Sequence, residues 1–250
     1  MIKSIERIAK SSLCAPVFLI AALLLSTRLL SAQAVPTASS LTPFQSHSPE
    51  LPWEIGAIAQ GGFGLTDNRG GFKFLMAGVH AGKVLTRNYG PGPLNGNFEY
   101  AVEVFPFWQS YTPKFQRAMC TAPNTCSPLY TVGGTFTGAS ITPIILRWNF
   151  KGSHRITPWV QGAGGVLWSN HKYPAFGGAP YNTINDGPNS DASVWNFTPQ
   201  GGIGAHYFIT PRRSVDFGLN AVHISSSSLG DKNPGVNASL QFSLGYTWWK

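Results

Sequence analysis

The sequence predicts an all-β fold, an eight-stranded antiparallel transmembrane β-barrel, from its composition, its periodicity and its connection lengths. The chain contains 28 glycines, with 13% aromatic and only 11% charged residues. A soluble domain usually carries about 25% charged residues. Apolar and polar residues alternate over many short segments, as expected for strands that turn one side toward lipid. The connections between these segments are short and long in turn, which is typical of outer-membrane barrels.

Residues 1–34 have the layout of a cleavable secretory signal peptide. Basic residues precede an apolar run from Val17 to Leu25, and a small-residue site, Ala32-Gln33-Ala34, follows it. The run is shorter than the roughly 18 residues that a membrane-spanning helix needs. We therefore expect cleavage after Ala34, an N-terminal linker over 35–52 and a barrel over 53–250. The mature protein is expected in the bacterial outer membrane.

Eight segments of the mature chain alternate with a two-residue period. In the first, Trp53, Ile55 and Ala57 share one side, while Glu54 and Gln60 lie on the other. This split is what a strand between lipid and a barrel interior requires. The remaining segments lie at Leu75–Ala81, Phe98–Val104, Ile144–Phe150, Trp159–Trp168, Trp195–Ile209, Ser214–Ser225 and Ala238–Trp249.

The connections support an up-and-down order with both ends of the barrel on the periplasmic side. Short turns are predicted at Lys151–Arg155 and Thr210–Arg213. Polar stretches at Tyr111–Gly138, His171–Ala192 and Ser226–Val236 alternate with them and are predicted as external loops.

A barrel of eight strands is too narrow for a pore, so its interior must be filled by side chains. Polar residues of inward phase are expected to form a structural network rather than a paired acid and base site. Three glycine clusters, at 61–64, 162–165 and 201–204, resemble nucleotide loops but lead into no helix, which favours close strand packing. The inward polar residues are Glu54, Glu99, Glu103, Arg147, Gln161, Gln200, His206 and Gln241.

The cysteines indicate a local disulfide. Loss of the signal peptide removes Cys14 and leaves Cys120 and Cys126 in an exported chain, where oxidising conditions permit a disulfide. The pair and its flanking residues offer too few ligands for zinc, so no metal site is predicted.

One pair of polar residues, a histidine and a serine, continues a stripe of apolar lipid-facing residues. Contact with lipid alone does not require such side chains. His223 and Ser225 follow the apolar positions of the seventh segment, which are Val215, Phe217, Leu219 and Ala221. An imidazole and a hydroxyl two residues apart on one strand face can come within hydrogen-bond reach, so that the base takes the proton as serine attacks an ester. The strand runs outward, which predicts a lipid-facing position at the external rim. The alternative is a pair of interfacial side chains without catalytic use.

The segment AVHISS at 221–226, followed by NPGVN at 233–237 and a final amphipathic strand, resembles the C-terminal signature of the PagL-type lipid A 3-O-deacylases. The resemblance implies a hydrolase embedded in the outer membrane, a serine esterase that removes an acyl chain from lipid A of lipopolysaccharide. By this analogy His223 is the general base and Ser225 the nucleophile. The chemistry needs no cofactor, and a homodimer is left open.

Two positions depart from the family pattern. Asn237 stands where the family has a glutamate that orients the histidine, so it is the provisional orienting group, with Asp231 as the alternative carboxylate. An amide can hold an imidazole tautomer but cannot stabilise the imidazolium by charge. Ser226 replaces an asparagine and is the oxyanion candidate, through its hydroxyl or its backbone N–H. A non-catalytic barrel with a structural, adhesive or ligand-binding role is the alternative function.

The formal net charge of +8 does not indicate a nucleic-acid partner, because the chain has no basic helix and is exported. Lipid A phosphates are the anionic partner expected at the external rim. The basic residues are divided between the two ends, with Arg117, Lys172 and Lys232 predicted outside and Arg155, Arg212 and Arg213 predicted on the periplasmic side.

Overall fold

Antiparallel strands make up nearly all of the computed structural model. It describes residues 43–45, 50–66, 69–118, 120–122, 125–152, 155–173, 193–226 and 238–250. Short 3₁₀ turns lie at Pro43–Gln45 and Gly92–Leu94. The strands are β1 Trp53–Gly64, β2 Lys73–Val84, β3 Gly96–Arg117, β4 Cys120–Ala122, β5 Thr125–Cys126, β6 Tyr130–Phe150, β7 Ile156–Ser169, β8 Trp195–Phe197, β9 Gln200–Thr210, β10 Arg213–His223 and β11 Ala238–Trp249.

Backbone pairing closes the main sheet into a barrel. Its strands follow the order β6-β3-β2-β1-β11-β10-β9-β7-β8, and an additional pairing of β6 with β7 joins the two sides. Both β8 and β9 pair with β7, so together they occupy one place in the barrel. The result is a closed antiparallel barrel with eight strand positions, which confirms the predicted fold class. Among the described residues, no helix is long and apolar enough to cross a lipid bilayer.

The two faces of each strand follow the predicted phases. The outer surface carries exposed apolar side chains, such as Phe217 at 52% and Phe242 at 54% exposure, whereas their chain neighbours turn inward. Exposed aromatic residues lie near both ends of the strands, as in the girdles of membrane barrels. They include Trp53, Tyr100 and Trp248 near the short turns, and Phe63, Tyr111 and Trp195 near the long connections. We call these two ends the periplasmic end and the external end.

The predicted external loop at Tyr111–Gly138 is wrong over much of its length. Strand β3 continues to Arg117 and β6 begins at Tyr130, with the short β4–β5 hairpin between them. The register of these long strands shifts at three places, each of which contains a proline: Pro106, Pro113 and Pro143. Proline has no N–H to donate to a ladder, and a bulge changes the phase of the alternation. Strict two-residue alternation therefore fails to predict the parts of these strands that continue beyond each bulge.

The segment predicted as one strand from Trp195 to Ile209 is interrupted between β8 and β9. Thr198 leaves the ladder there and donates its N–H to Gly165 O at 2.8 Å, and Pro199, which has no N–H, follows. The turn from Asn88 to Asn97 contains the Gly92–Leu94 3₁₀ turn, which makes it longer than the turns at Lys151–Arg155 and Thr210–Arg213.

The middle of the barrel interior contains the predicted polar network, with Arg147 at its centre. The Arg147 guanidinium donates from Nη1 to Glu54 Oε1 at 3.3 Å and to Glu99 Oε1 at 3.0 Å, and from Nε to Gln161 Oε1 at 3.1 Å. Asn149 Nδ2 donates to the second oxygen of Glu99 at 2.7 Å. Both carboxyl groups are fully buried, so the guanidinium between them supplies hydrogen bonds that water cannot supply there.

Apolar side chains, which the sequence analysis did not anticipate, fill the external end of the interior. Tyr173, from the connection after β7, is buried among them, and its hydroxyl lies 3.1 Å from Ser110 Oγ. Burial raises the pKa of Tyr173 and lowers the pKa of the nearby Arg69 to about 10. The cluster consists of Phe72, Phe74, Met76, Phe105, Trp108, Phe136, Leu167, Tyr173, Val222 and Ile224.

A smaller apolar cluster closes the periplasmic end. Val84, Phe208 and Trp249 are buried there, with Phe44 and Leu51 packed against them. The rings of Phe44 and Trp249 meet edge to face with centroids 5.0 Å apart. The polar network thus lies between two apolar seals, which agrees with a filled barrel rather than a channel.

Glycines make room for the largest side chain of the polar region. The Trp159 indole points inward and lies across Gly204 and Gly218, where an added Cβ would come within 2.2 Å and 3.0 Å of its ring atoms. Arg147 packs on the other side of the indole, with its guanidinium carbon 4.8 Å from the ring centroid. At Gly162, on the outer surface, an added Cβ would meet nothing within 4 Å. Close packing is therefore the role of the inward glycines.

We predict that Arg147→Gln lowers the free energy of unfolding by about 3–5 kcal/mol, because it leaves Glu54 and Glu99 buried without their cation. Urea unfolding of the folded barrel in detergent micelles measures the effect. Arg155→Gln, at an exposed turn position, is the matched control and is expected to change stability little. Equal midpoints for the two variants would show that the buried pairs contribute nothing.

We predict that Gly204→Ala lowers the free energy of unfolding by about 1–3 kcal/mol, because the new Cβ meets both the Phe217 backbone oxygen and the Trp159 indole at less than contact distance. The same substitution at Gly162 faces open space and is expected to be nearly neutral. Unfolding midpoints of the two alanine variants, measured side by side, test this difference. A Gly204→Ala barrel as stable as the Gly162→Ala barrel contradicts the packing role.

Candidate functional site

The outward face of β10 leads to the His223 and Ser225 pair at the external end. Phe217 and Ala221 are exposed on this face, and His223 and Ser225 are half-buried in the same phase. The residues between and beside them, Val222 and Ile224, belong to the interior apolar cluster. The structure therefore places both site residues on the lipid side of the strand, where the periodicity predicted them.

Neighbouring strands hold the backbone of the pair. His223 N donates to Pro199 O at 3.0 Å. Ser225 N donates to Phe197 O at 3.0 Å, and Ser225 O accepts from Phe197 N at 2.6 Å. On the other side His223 lies opposite Ala238, the first residue of β11. The break between β8 and β9 thus faces the site, and a paired backbone continues past the end of β10 as far as Ser225.

This backbone geometry allows an acid–base pair. Residues i and i+2 of a strand lie about 6.5–7 Å apart along one face, and an imidazole is long enough to span most of that distance. A histidine beside a serine is the minimal arrangement for activation of a hydroxyl nucleophile.

A strip of small residues crosses the outer surface next to the pair. Ala221 lies opposite Gly201 on β9, which in turn lies opposite Gly162 on β7. Added Cβ atoms at Gly162 and Gly164 would meet nothing within 4 Å, and one at Gly201 would meet only Gln161 O at 3.8 Å. Exposed Phe197 and Trp195 lie on the external side of this strip. Within the part of the chain that the structure describes, the outer surface beside the pair is apolar and exposed.

Ser226 lies on the opposite side of the strand from Ser225. Its side chain is fully buried, and its hydroxyl has no hydrogen-bond partner within the described part of the chain. The hydroxyl therefore does not share the outer face of the site, whereas the backbone N–H follows the nucleophile directly. Asn237 and Asp231 lie outside the described residues, as does the predicted signal peptide.

The cysteine pair lies away from this site, in the β4–β5 hairpin. Cys126 is disulfide-bonded, and Cys120 is its direct neighbour in the antiparallel ladder. The predicted bridge between Cys120 and Cys126 fits this register. For the described residues, no group of three or more histidine, cysteine, aspartate or glutamate side chains is arranged to hold a metal ion.

A second set of catalytic residue types, missed by the sequence analysis, lies inside the barrel. Asp216 accepts hydrogen bonds from His206 Nδ1 and from Ser214 Oγ, both at 2.7 Å, and a further bond from Thr247. The serine donates to the carboxylate and not to the imidazole, so the order of a catalytic triad is absent. His206 Nε2 is buried without a partner beside the rings of Phe44 and Trp249. The residues of this cluster lie in the barrel interior and form hydrogen bonds with one another. The inward phase of Asp216 in β10 is the signal that could have found it.

Comparisons with known proteins give a family and several structural likenesses. The model of the lipid A 3-O-deacylase (PagL) family matches residues 94–247. Among curated protein sequences none matches the chain. The outer membrane enzyme PagL is 14% identical with a TM-score of 0.39, and the match covers 77% of this chain and 98% of that one.

Two other solved barrels show similar values. Neisserial surface protein A is 15% identical with a TM-score of 0.41, over 78% of this chain and 96% of that one. The N-terminal barrel of OprF from Pseudomonas aeruginosa is 12% identical with a TM-score of 0.36, over 80% and 98%. Since the family model covers well over half of the sequence, including the segment with His223 and Ser225, the chain belongs to the PagL family of lipid A 3-O-deacylases.

Proposed function

We propose that this outer-membrane barrel is a serine esterase that removes an ester-linked acyl chain from lipid A, with Ser225 as nucleophile and His223 as general base. The observation that carries the proposal is the position of the pair, in one phase on the lipid-facing side of β10 at the external end. The outer leaflet presents its acyl esters at that depth. Membership of the deacylase family supports the same substrate.

The first step transfers the acyl group to the protein. His223 takes the proton from Ser225 Oγ as that oxygen attacks the acyl carbonyl carbon, and the C=O electrons move to oxygen in a tetrahedral intermediate. Collapse of the intermediate breaks the bond to the sugar oxygen, which receives the proton from His223. The glycosyl hydroxyl leaves, and the fatty acid remains as an ester on Ser225.

The second step releases the fatty acid. Water attacks the Ser225 ester while His223 takes its proton, and the returning proton restores the serine hydroxyl. The backbone N–H of Ser226 is our proposed donor to the oxyanion, because this side chain points inward and the N–H after a nucleophile serves this purpose in other esterases. Asn237 is the proposed orienting partner of His223, with Asp231 as the alternative.

The strip of Ala221, Gly201 and Gly162 supports the placement of substrate. Because these positions lack bulky side chains, an acyl chain can lie close to the strand backbones beside Ser225. The flanking Phe197 lies next to the nucleophile and provides an apolar edge to this surface.

We predict that expression of the wild-type protein removes one acyl chain from lipid A, whereas Ser225→Ala and His223→Ala reduce the rate at least about 10³-fold because they remove the nucleophile or its base. Mass spectrometry of lipid A extracted from the expressing cells measures the product. Ser127→Ala and His171→Ala, at exposed external positions, serve as matched controls and are expected to stay active.

Folded barrel levels must be equal in all five samples, which a heat-dependent shift on gels establishes. Unchanged lipid A in the wild-type sample would contradict the esterase proposal and favour the alternative function, a non-catalytic barrel. Deacylation that persists in Ser225→Ala would remove the proposed nucleophile.

We predict that Asn237→Glu raises the deacylation rate about tenfold or more, because a carboxylate stabilises the imidazolium that an amide only orients. Asn237→Ala is expected to lower the rate. Initial rates on purified lipid A in detergent test both variants, with Asp231→Asn as the comparison. If only Asp231→Asn lowers the rate, the orienting role belongs to Asp231.

A further inference from the structure

The periplasmic end of the barrel carries a ring of exposed basic side chains. At the turns these are Arg87, Lys151, Arg155 and Arg212, and at the strand ends they are Lys83, Arg213 and Lys250. Glu50 is the one exposed carboxylate at this end among the residues that the structure describes. The acidic residues Glu54, Glu99 and Asp216 of the neighbouring strands face inward and form hydrogen bonds there. The ring is therefore a concentration of positive charge without comparable acidic compensation.

Three of these cations occupy lipid-facing positions at the ends of their strands, and Lys83 Nζ also donates a hydrogen bond to Leu51 O at 2.6 Å. Lys83 has the phase of the lipid-facing side of β2, and Arg213 has the phase of Phe217 on β10. Lys250 follows β11 in the phase of exposed Trp248. Arg213 and Lys250 lie one step beyond the apolar residues of their stripes, whereas Lys83 lies between Ala81 and exposed Leu85.

Each of the three lies beside an aromatic residue of the periplasmic girdle. Lys250 Nζ is 5.8 Å from the centroid of the Trp53 ring, and Lys83 lies opposite Trp53 in the β1–β2 ladder. Arg213 lies opposite Trp248 in the β10–β11 ladder. Tryptophan in these girdles lies at the level of the lipid headgroups. The three cations are thus at the height of the phosphates of the periplasmic leaflet.

We propose that Lys83, Arg213 and Lys250 form a binding surface for anionic phospholipid headgroups of the periplasmic leaflet. Phosphodiester oxygens accept hydrogen bonds from ammonium and guanidinium groups, and the negative surface of such a leaflet attracts basic side chains. An acidic soluble partner would instead approach along the axis, where Lys151, Arg155 and Arg212 lie. The sideways phase of the three cations favours lipid. This inference is independent of the proposed esterase activity.

The test is lipid retention by the folded barrel, measured by native mass spectrometry from detergent. Phosphatidylglycerol and phosphatidylcholine with identical acyl chains compete for the wild-type protein and for the triple variant Lys83→Gln, Arg213→Gln, Lys250→Gln. We expect wild type to prefer phosphatidylglycerol, and the preference to fall by roughly fivefold for each cation removed in dilute buffer. Added salt should weaken the preference, because it screens exposed charges.

A control triple variant removes the same charge from the external end, by Lys73→Gln, Lys114→Gln and Lys172→Gln. It is expected to keep the wild-type preference to within about twofold. No preference in wild type, or an equal loss in both triple variants, overturns the proposal. A preference that is lost only on substitution of Lys151, Arg155 and Arg212 by Gln would place the anion at the tip of the barrel and would overturn it as well.

Discussion

Inside a bilayer no water is available to bond a backbone N–H or C=O, so every such group needs a partner within the protein. Closure of the sheet through the pairing of β6 with β7 meets this constraint, and the rest of the structure follows from it. Several prolines, which cannot donate, lie where the register shifts or a strand breaks, as at Pro113 and Pro199. Local loss of pairing is thereby confined to a few positions.

A closed barrel of eight strands leaves an interior that side chains must fill. Here the filling is divided into layers, with the Arg147 network between an external aromatic cluster and a smaller periplasmic one. Arg147 forms hydrogen bonds with both carboxyl groups of the network, and apolar clusters lie on either side of it. His206 and Asp216 are residue types that also occur in catalytic sites. Here they form a hydrogen bond with each other that stabilises the barrel interior.

Because side chains fill the interior, we expect other molecules to contact the outer surface and the connections. The two surfaces that we assign both face lipid, but different leaflets. At the external end, His223 and Ser225, the proposed base and nucleophile, take the place of apolar residues in a stripe. At the periplasmic end, Lys83, Arg213 and Lys250 replace them by cations beside tryptophans. Because the two proposed surfaces lie at opposite ends of the barrel and each faces lipid, both require the barrel to lie at a fixed depth in the membrane.

The sequence by itself determined the face on which each residue of a regular strand lies, because side chains in a strand alternate between two sides. This is why the eight strand segments, the inward phase of Glu54 and Arg147 and the outward phase of His223 and Ser225 could all be predicted. The proposed role of Asn237 came from the resemblance alone.

Only the tertiary structure decided which inward residues meet. Arg147 bonds to carboxylates from two other strands, and Phe74 and Trp108 join Tyr173 from a distant connection. The tertiary structure also decided where β3 and β6 end. Two-residue alternation specifies the side of the strand on which a residue lies. It specifies neither the height of that residue along the barrel axis nor its partner across the interior. Those depend on the register of strands far apart in sequence and on the bulges that change it.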